Sequence, residues 1–125
     1  MKTIINTNNA PAPIGPYNQA TLAGGFLFVS GQIPMDPLSG EIISSDIKAE
    51  ATQVMENIKA ILTEAGLTFD NIVKTSIFLT DMQNFAQVNE VYGTYFTADF
   101  PARETVQVAG LPKAVNVEIS VIAVK

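Results

Sequence analysis

The chain has 125 residues, a length that predicts one domain. Seven residues are basic and twelve acidic, which gives a formal net charge of −5. It has no His, Cys or Trp, which excludes disulfides, thiolate nucleophiles, zinc sites built from Cys or His, and a serine triad with a histidine base. The acidic balance argues against nucleic acid as a partner, because affinity for a phosphate backbone depends mainly on basic side chains.

The predicted elements alternate between strands and amphipathic helices. In chain order they are strands over residues 2–6, 18–23 and 26–30, a helix over 46–65, a strand over 72–80, a helix over 84–100, and strands over 105–109 and 116–124. The Gly24-Gly25 pair is expected to form the tight turn of a hairpin. Two amphipathic helices and about six strands predict an α+β fold, in which both helices pack on one face of a mixed sheet.

Local signals predict where the helices begin and end. Ser45 or Asp46 can cap the first helix, and Gly66 follows its last turn as a left-handed terminating residue. Asn84 is expected to cap the second helix, with Gln87 at the capping-box position. In the strand that follows the first helix, alternation predicts one shared face for Val73, Thr75, Ile77 and Leu79.

The surface composition predicts self-association. Charged residues are only 15% of the chain, against about 25% in an average soluble domain, so the sheet face without helices is expected to be buried against other copies. The N-terminal Met-Lys-Thr-Ile-Ile-Asn lacks the apolar segment of a signal peptide, and no apolar run approaches bilayer length. A cytoplasmic location without a membrane partner is therefore expected.

Two charged residues in the last strands are the main candidates for chemistry. Arg103 carries a planar guanidinium that matches a carboxylate, so it is either a clamp for a small acid or one half of a structural ion pair. Glu118 lies in the middle of a strand, where Glu is disfavoured. Its carboxylate could hold or deprotonate a water, or it could simply face solvent or a lysine.

Five weaker candidates accompany them: Tyr17, Ser30, Gly31, Asn89 and Thr105. Tyr17 follows a stiff proline-rich loop and could line a pocket or pack in the core. Ser30-Gly31 could present a hydroxyl and a close backbone amide, or could mark the end of a strand. Asn89 could donate to a ligand or face water, and Thr105 is expected on the same strand face as Arg103.

Taken together, these segments resemble the reactive intermediate deaminase family (RidA, or YjgF-like) over essentially the whole chain. The matching segments are Ala10-Pro11, Ile14-Gly15-Pro16-Tyr17, Ser30-Gly31-Gln32-Ile33-Pro34, Ala65-Gly66-Leu67, Ile72-Val73-Lys74-Thr75, Phe85 with Val88-Asn89 and Tyr92, Pro101-Ala102-Arg103, Leu111-Pro112-Lys113 and Val117-Glu118-Ile119. The resemblance implies a chorismate-mutase-like α+β fold and a homotrimer with three sites between subunits.

The resemblance also implies an activity and a set of roles. The reaction is hydrolysis of 2-imino or enamine acids, such as 2-iminobutanoate and 2-iminopropanoate, to 2-oxo acids and ammonia, with no metal or organic cofactor. Arg103 would grip the substrate carboxylate and Glu118 would hold the attacking water. Tyr17, Ser30, Gly31, Asn89 and the backbone around Thr105 would line the pocket. Two alternatives are a trimeric ligand-binding or regulatory protein without turnover, and an endoribonuclease or translation inhibitor.

Three positions depart from the commonest pattern of that family. Glu104 and Thr105 stand where many relatives have Ser followed by Cys or Ala, and Gly110 replaces a basic residue. Strand alternation predicts that Glu104 points away from Arg103 and leaves the guanidinium of Arg103 free to bind a carboxylate. Thr105 is expected to narrow and polarise the pocket floor, and Gly110 to affect the stability of the trimer.

Overall fold

A computed structural model describes all residues, Met1–Lys125, and contains six strands and two α-helices. The strands are β1 (Thr3–Ile5), β2 (Ala20–Ala23), β3 (Phe26–Gln32), β4 (Ile72–Leu79), β5 (Ala102–Gln107) and β6 (Val117–Val124), and the helices are α1 (Ile47–Glu64) and α2 (Phe85–Gly93). Short 3-10 turns lie at Phe69–Asn71, Met82–Asn84 and Pro112–Ala114. The α+β class predicted from the sequence is confirmed.

One mixed sheet holds all six strands in the order β1-β2-β3-β6-β4-β5. The hairpin of β2 and β3 turns at Gly24 and Gly25, which both have positive φ as predicted. Every neighbouring pair is antiparallel except β4 and β5. These two are parallel because α2 carries the chain back across the sheet between them, as parallel neighbours require.

Both helices cover the same face of the sheet. In α1 the buried side chains form one stripe that includes Val54, Ile58 and Ile61, and they pack with β-strand residues in one hydrophobic core. From α2, the Tyr92 hydroxyl donates to Thr75 Oγ1 on β4 at 2.9 Å. Neither helix is both long enough and apolar enough to span a bilayer.

The ends of α1 follow the sequence signals, whereas the start of α2 does not. Asp46 caps α1, since its side chain accepts from the Ala49 N–H at 2.8 Å, and Gly66 follows with φ of 75°. The predicted cap at Asn84 is wrong, because Asn84 is in αR geometry and makes no side-chain cap. Asp81 caps a preceding 3-10 turn instead, and α2 ends at Gly93, well before residue 100.

The face assignment within β4 needs one correction, at Val73. A register shift between Ile72 and Lys74 leaves Val73 outside the regular pairing with β6. Ile72 is therefore buried and Val73 is exposed, contrary to the alternation expected from the sequence. From Thr75 onward the predicted alternation holds, with Thr75, Ile77 and Leu79 buried.

The other face of the sheet has no cover within the chain. Apolar side chains meet across the strands here, as the register pairs Phe26 with Val124, Phe28 with Ile122 and, beyond β6, Phe78 with Val106. Phe26, Phe28, Val106 and Val124 are exposed. We give the name uncovered face to the six paired side chains: Phe26, Phe28, Phe78, Val106, Ile122 and Val124.

Candidate functional site

Arg103 lies on β5 and is held by side chains of α2. Its Nη1 donates to Asn89 Oδ1 at 2.7 Å. The faces of two aromatic rings approach the guanidinium carbon, Tyr92 at 5.0 Å and Phe85 at 5.7 Å from ring centroid to Cζ. These distances are in the range of cation–π contacts. Three α2 side chains thus fix the position of one cationic group.

No acidic side chain neutralises Arg103. The ion pairs of the structure join Lys48 to Glu90 and Lys74 to Glu104. The half-buried guanidinium instead borders an open cleft of about 470 Å³, which has six lining residues: Asn89, Tyr92, Gly93, Phe100, Pro101 and Arg103. A cation that is held in place, lacks a carboxylate partner and borders a cleft is suited to binding a small anion.

Glu118 lies on β6 and packs against Gly31 of β3. The pairing of β3 with β6 shifts between Val29 and Gln32, so the chain bulges at Ser30-Gly31. A Cβ built on Gly31 would lie 2.7 Å from the carboxyl carbon of Glu118, so only glycine leaves room for this side chain. Burial raises the pKa of Glu118 above its ordinary 4.5, and no charge or hydrogen bond opposes that rise.

Tyr17 and Ser30 lie beside Gly31. Tyr17 and Gly31 both line one small cavity that also contains Ile14, Ile33 and Met35. Tyr17 and Ser30 both line an adjoining one. The Ser30 hydroxyl donates to the Asn18 carbonyl at 2.7 Å, which anchors the bulge to the loop that carries Tyr17. We call Tyr17, Ser30, Gly31 and Glu118 the Glu118 half-site.

Thr105 follows Arg103 on the helix-covered side of β5. It is paired in register with the buried Ile77. Its Oγ1 is buried and has no hydrogen-bond partner. Glu104, between them, bonds instead to Ser76 and Lys74, so it does not contact the guanidinium. We call Arg103, Asn89 and Thr105 the Arg103 half-site.

The two half-sites are on opposite faces of the sheet. Arg103 is level with Thr75, which is fully buried beneath α2. Glu118 is level with Phe78, which belongs to the uncovered face. Because alternate residues of a strand point to opposite faces, one protomer does not bring Arg103 and Glu118 together. The pKa of Glu118 is accordingly raised by burial, with no lowering by the Arg103 charge.

Two aromatic residues in contact with Arg103 were not among the site residues predicted from the sequence. Phe85 and Tyr92 are both apolar side chains of an amphipathic helix, for which burial in the core is the ordinary expectation, yet Phe85 is 37% exposed. The available signal was the spacing of Phe85, Asn89 and Tyr92, which is i, i+4, i+7 and places all three on one helix face. No three His, Cys, Asp or Glu side chains converge as a metal site.

Comparison with known proteins finds relatives that are similar to the chain over nearly its whole length. Residues 7–125 match the family described as Endoribonuclease L-PSP. The chain is 54% identical over 125 residues to a RutC family protein of Pyrococcus horikoshii, covering 100% of this chain and 99% of the relative. It is 45% identical over 125 residues to human 2-iminobutanoate/2-iminopropanoate deaminase, covering 100% of this chain and 91% of the relative. The solved structure of Escherichia coli TdcF with bound serine superposes with a TM-score of 0.94, at 47% identity and 98% coverage of both chains.

Proposed function

We propose that this chain, which belongs to the YjgF/RidA family, hydrolyses small 2-imino acids to 2-oxo acids and ammonia. The observation that carries the proposal is the Arg103 guanidinium, which is fixed by Asn89 and two rings, is free of acidic partners and borders a cleft. Its planar fork suits the carboxylate of such substrates. The human relative named for this reaction supports the choice of 2-iminobutanoate and 2-iminopropanoate.

A complete site then needs two copies of the chain. Arg103 and Glu118 point to opposite faces of one sheet, so the Arg103 half-site of one copy must meet the Glu118 half-site of another. The uncovered face gives an apolar surface on which copies can assemble. We propose a closed homotrimer with three shared sites. A contact between two different surfaces of the same chain builds a ring when its rotation closes, and a ring of three is what the resemblance to the family implies.

The reaction depends more on the orientation of the water and the imine than on a strong base. Arg103 binds the carboxylate, and Glu118 holds a water against the imine carbon. On the protonated imine, the water oxygen bonds to that carbon as the C=N electron pair moves to nitrogen and Glu118 takes one water proton, which gives a carbinolamine. Glu118 returns that proton to nitrogen. The C–N bond then breaks with its electron pair on nitrogen while the hydroxyl gives its proton to Glu118, so that ammonia and the 2-oxo acid are released. The raised pKa of Glu118 helps it to hold the proton between these steps. Orientation alone can supply several kcal/mol.

The test is release of ammonia from 2-iminobutanoate that is generated enzymatically in the assay. Wild type should accelerate it. Arg103→Ala should lose the activity while sedimentation still reports a trimer, and Arg103→Lys, which keeps the charge but not the fork, should lie between them. Glu118→Gln should slow turnover more than it weakens binding of 2-oxobutanoate. Unchanged kcat/KM in Arg103→Ala would refute the clamp.

Two other functions lead to different results in the same assay. A trimeric regulator would bind 2-oxobutanoate through Arg103 without accelerating ammonia release. An endoribonuclease would cleave RNA, and its RNA binding would fall steeply as the salt concentration rises. The net charge of −5 disfavours such binding, because the RNA backbone is also negative. We further propose that the protein acts in the cytoplasm, without nucleic-acid, membrane, metal or organic-cofactor partners.

A further inference from the structure

The contacts around Arg103 come from one stripe of α2. Phe85, Asn89 and Tyr92 are spaced i, i+4, i+7, so their side chains project from one helix face. All three contact the guanidinium, Asn89 through its Oδ1 and the other two through their ring faces. Asn89 uses one N–H of the five that an arginine offers, so most of the fork is left for a ligand.

Tyr92 is itself anchored from both sides. Its hydroxyl donates to Thr75 Oγ1 at 2.9 Å, and Thr75 is the residue of β4 that pairs with Arg103. On the helix side, the Phe96 ring packs against the Tyr92 ring, with centroids 4.8 Å apart. The ring beneath Arg103 is therefore fixed to the same strand register that sets the position of the Arg103 backbone.

The exposure of Phe85 indicates that its ring supports Arg103 and not the hydrophobic core. A side chain that contributed only to core packing would be buried, as Tyr92 is. Phe85 is 37% exposed and still presents its face to the guanidinium. Phe85 does not belong to the hydrophobic core, and its ring lies against a charged group at the edge of a cleft.

We propose that Phe85 and Tyr92 form an aromatic cradle that positions the Arg103 guanidinium for the substrate carboxylate. This inference rests on the proposed function, because it assigns the cradle to the carboxylate clamp. A free arginine side chain has many rotamers, and ordering it on binding weakens affinity. The two ring faces hold the guanidinium in advance, so that the N–H groups not used by Asn89 stay directed at the cleft.

The experiment compares Phe85→Leu with Phe85→Tyr, which keeps the ring, and with Phe69→Leu as the matched control. Phe69 packs against Tyr95 and Phe96, and its ring does not contact Arg103. Tyr92→Phe serves for the second ring, because it keeps the ring of a buried residue whose loss could prevent folding. Each variant is measured for its Kd for 2-oxobutanoate, for kcat and KM on 2-iminobutanoate, and for the ¹⁵N order parameter of the Arg103 Nε–H.

The cradle predicts a specific pattern among these variants. Phe85→Leu should weaken 2-oxobutanoate binding by roughly threefold to tenfold, raise KM more than it lowers kcat, and lower the Arg103 order parameter. Phe85→Tyr and Phe69→Leu should keep an order parameter close to that of wild type, even if Phe69→Leu lowers Tm. Tyr92→Phe keeps the ring but loses the bond to Thr75, so it should lower the order parameter less than Phe85→Leu does.

Two results would overturn the cradle in distinguishable ways. If wild type releases ammonia and Phe85→Leu matches it in Kd and in order parameter, the cradle is wrong and the proposed function stands. If wild type neither binds 2-oxobutanoate nor releases ammonia, the proposed function fails, and the role of the cradle in substrate binding fails with it. The order parameter then still reports whether the rings hold the guanidinium.

Discussion

The carboxylate of Glu118 occupies the space that a side chain at Gly31 would fill. A Cβ at position 31 would lie 2.7 Å from the Glu118 carboxyl carbon and 3.0 Å from its Cγ. Gly31 has no positive φ, so glycine is needed here for room and not for backbone conformation. The bulge in β3 and the carboxylate on β6 therefore form one unit.

Gly31→Ala should displace the Glu118 side chain and leave the fold intact, because the atoms in the way belong to a flexible side chain. A misplaced reactive group can lower rate on the order of 100-fold, and we expect a loss of that size in kcat on 2-iminobutanoate. Gly110→Ala is the control, since no atom lies within 4 Å of a Cβ at position 110, and sedimentation checks that this variant assembles as wild type does. Equal activity in the two variants would contradict the proposed role of Glu118.

The pKa of Glu118 tests whether the site is shared between copies. Within one chain, burial alone raises this pKa from 4.5. In the assembled protein, Arg103 of a neighbouring copy should favour the charged form and oppose the rise. Arg103→Ala should therefore increase the pKa of Glu118, measured by ¹³C NMR titration with Glu118→Gln as the assignment control. An identical pKa in wild type and Arg103→Ala would place the two groups apart in the assembly.

The raised pKa of Glu118 should also make the free energy of unfolding of the Arg103→Ala protein depend on pH. A carboxyl group whose pKa is raised by folding binds its proton more tightly in the folded state. Its stabilising contribution is thus present below the unfolded pKa and is lost as pH rises from about 4.5 through the raised value. Adding Glu118→Gln to Arg103→Ala should remove that decline, as measured by denaturant unfolding at several pH values.

Mixed oligomers test the shared site by activity. Arg103→Ala and Glu118→Gln should each be nearly inactive alone. When equal amounts are unfolded together and refolded, about a quarter of shared sites should combine an intact Arg103 from one copy with an intact Glu118 from its neighbour. Ammonia release should therefore recover to roughly that fraction of wild type. A mixture no more active than its components would mean that each site is built within one chain.

Thr105→Val should stabilise the protein. The Thr105 Oγ1 is buried without a hydrogen-bond partner, and leaving a buried polar group unpaired costs about 1–3 kcal/mol. Valine has nearly the same shape, so we expect a gain of about 1 kcal/mol in the free energy of unfolding. Thr75→Val makes the same exchange at a hydroxyl that accepts a hydrogen bond from Tyr92, so it should lower the free energy of unfolding. A loss of stability in both variants would mean that Thr105 has a partner in the assembly.

Much of the fold follows from local signals in the sequence. The capped start and glycine-terminated end of α1, its single apolar stripe, and the Gly24-Gly25 hairpin were all predicted and are confirmed. Predictions failed where tertiary contacts compete with local preference. Asp81 rather than Asn84 starts the turn into α2, and the irregularity at Val73 reflects pairing with a strand almost 50 residues later, which no local pattern encodes.

The order of residues is enough to predict which side chains are available for chemistry and how they alternate within each strand, so that Arg103 and Thr105 share one face and Glu104 takes the other. The placement of Arg103 and Glu118 on opposite faces of the sheet follows from the folded arrangement of the strands. Alternation is a property of one strand, whereas the relation between β5 and β6 depends on the register of each with β4. That register is set by packing between segments far apart in the chain.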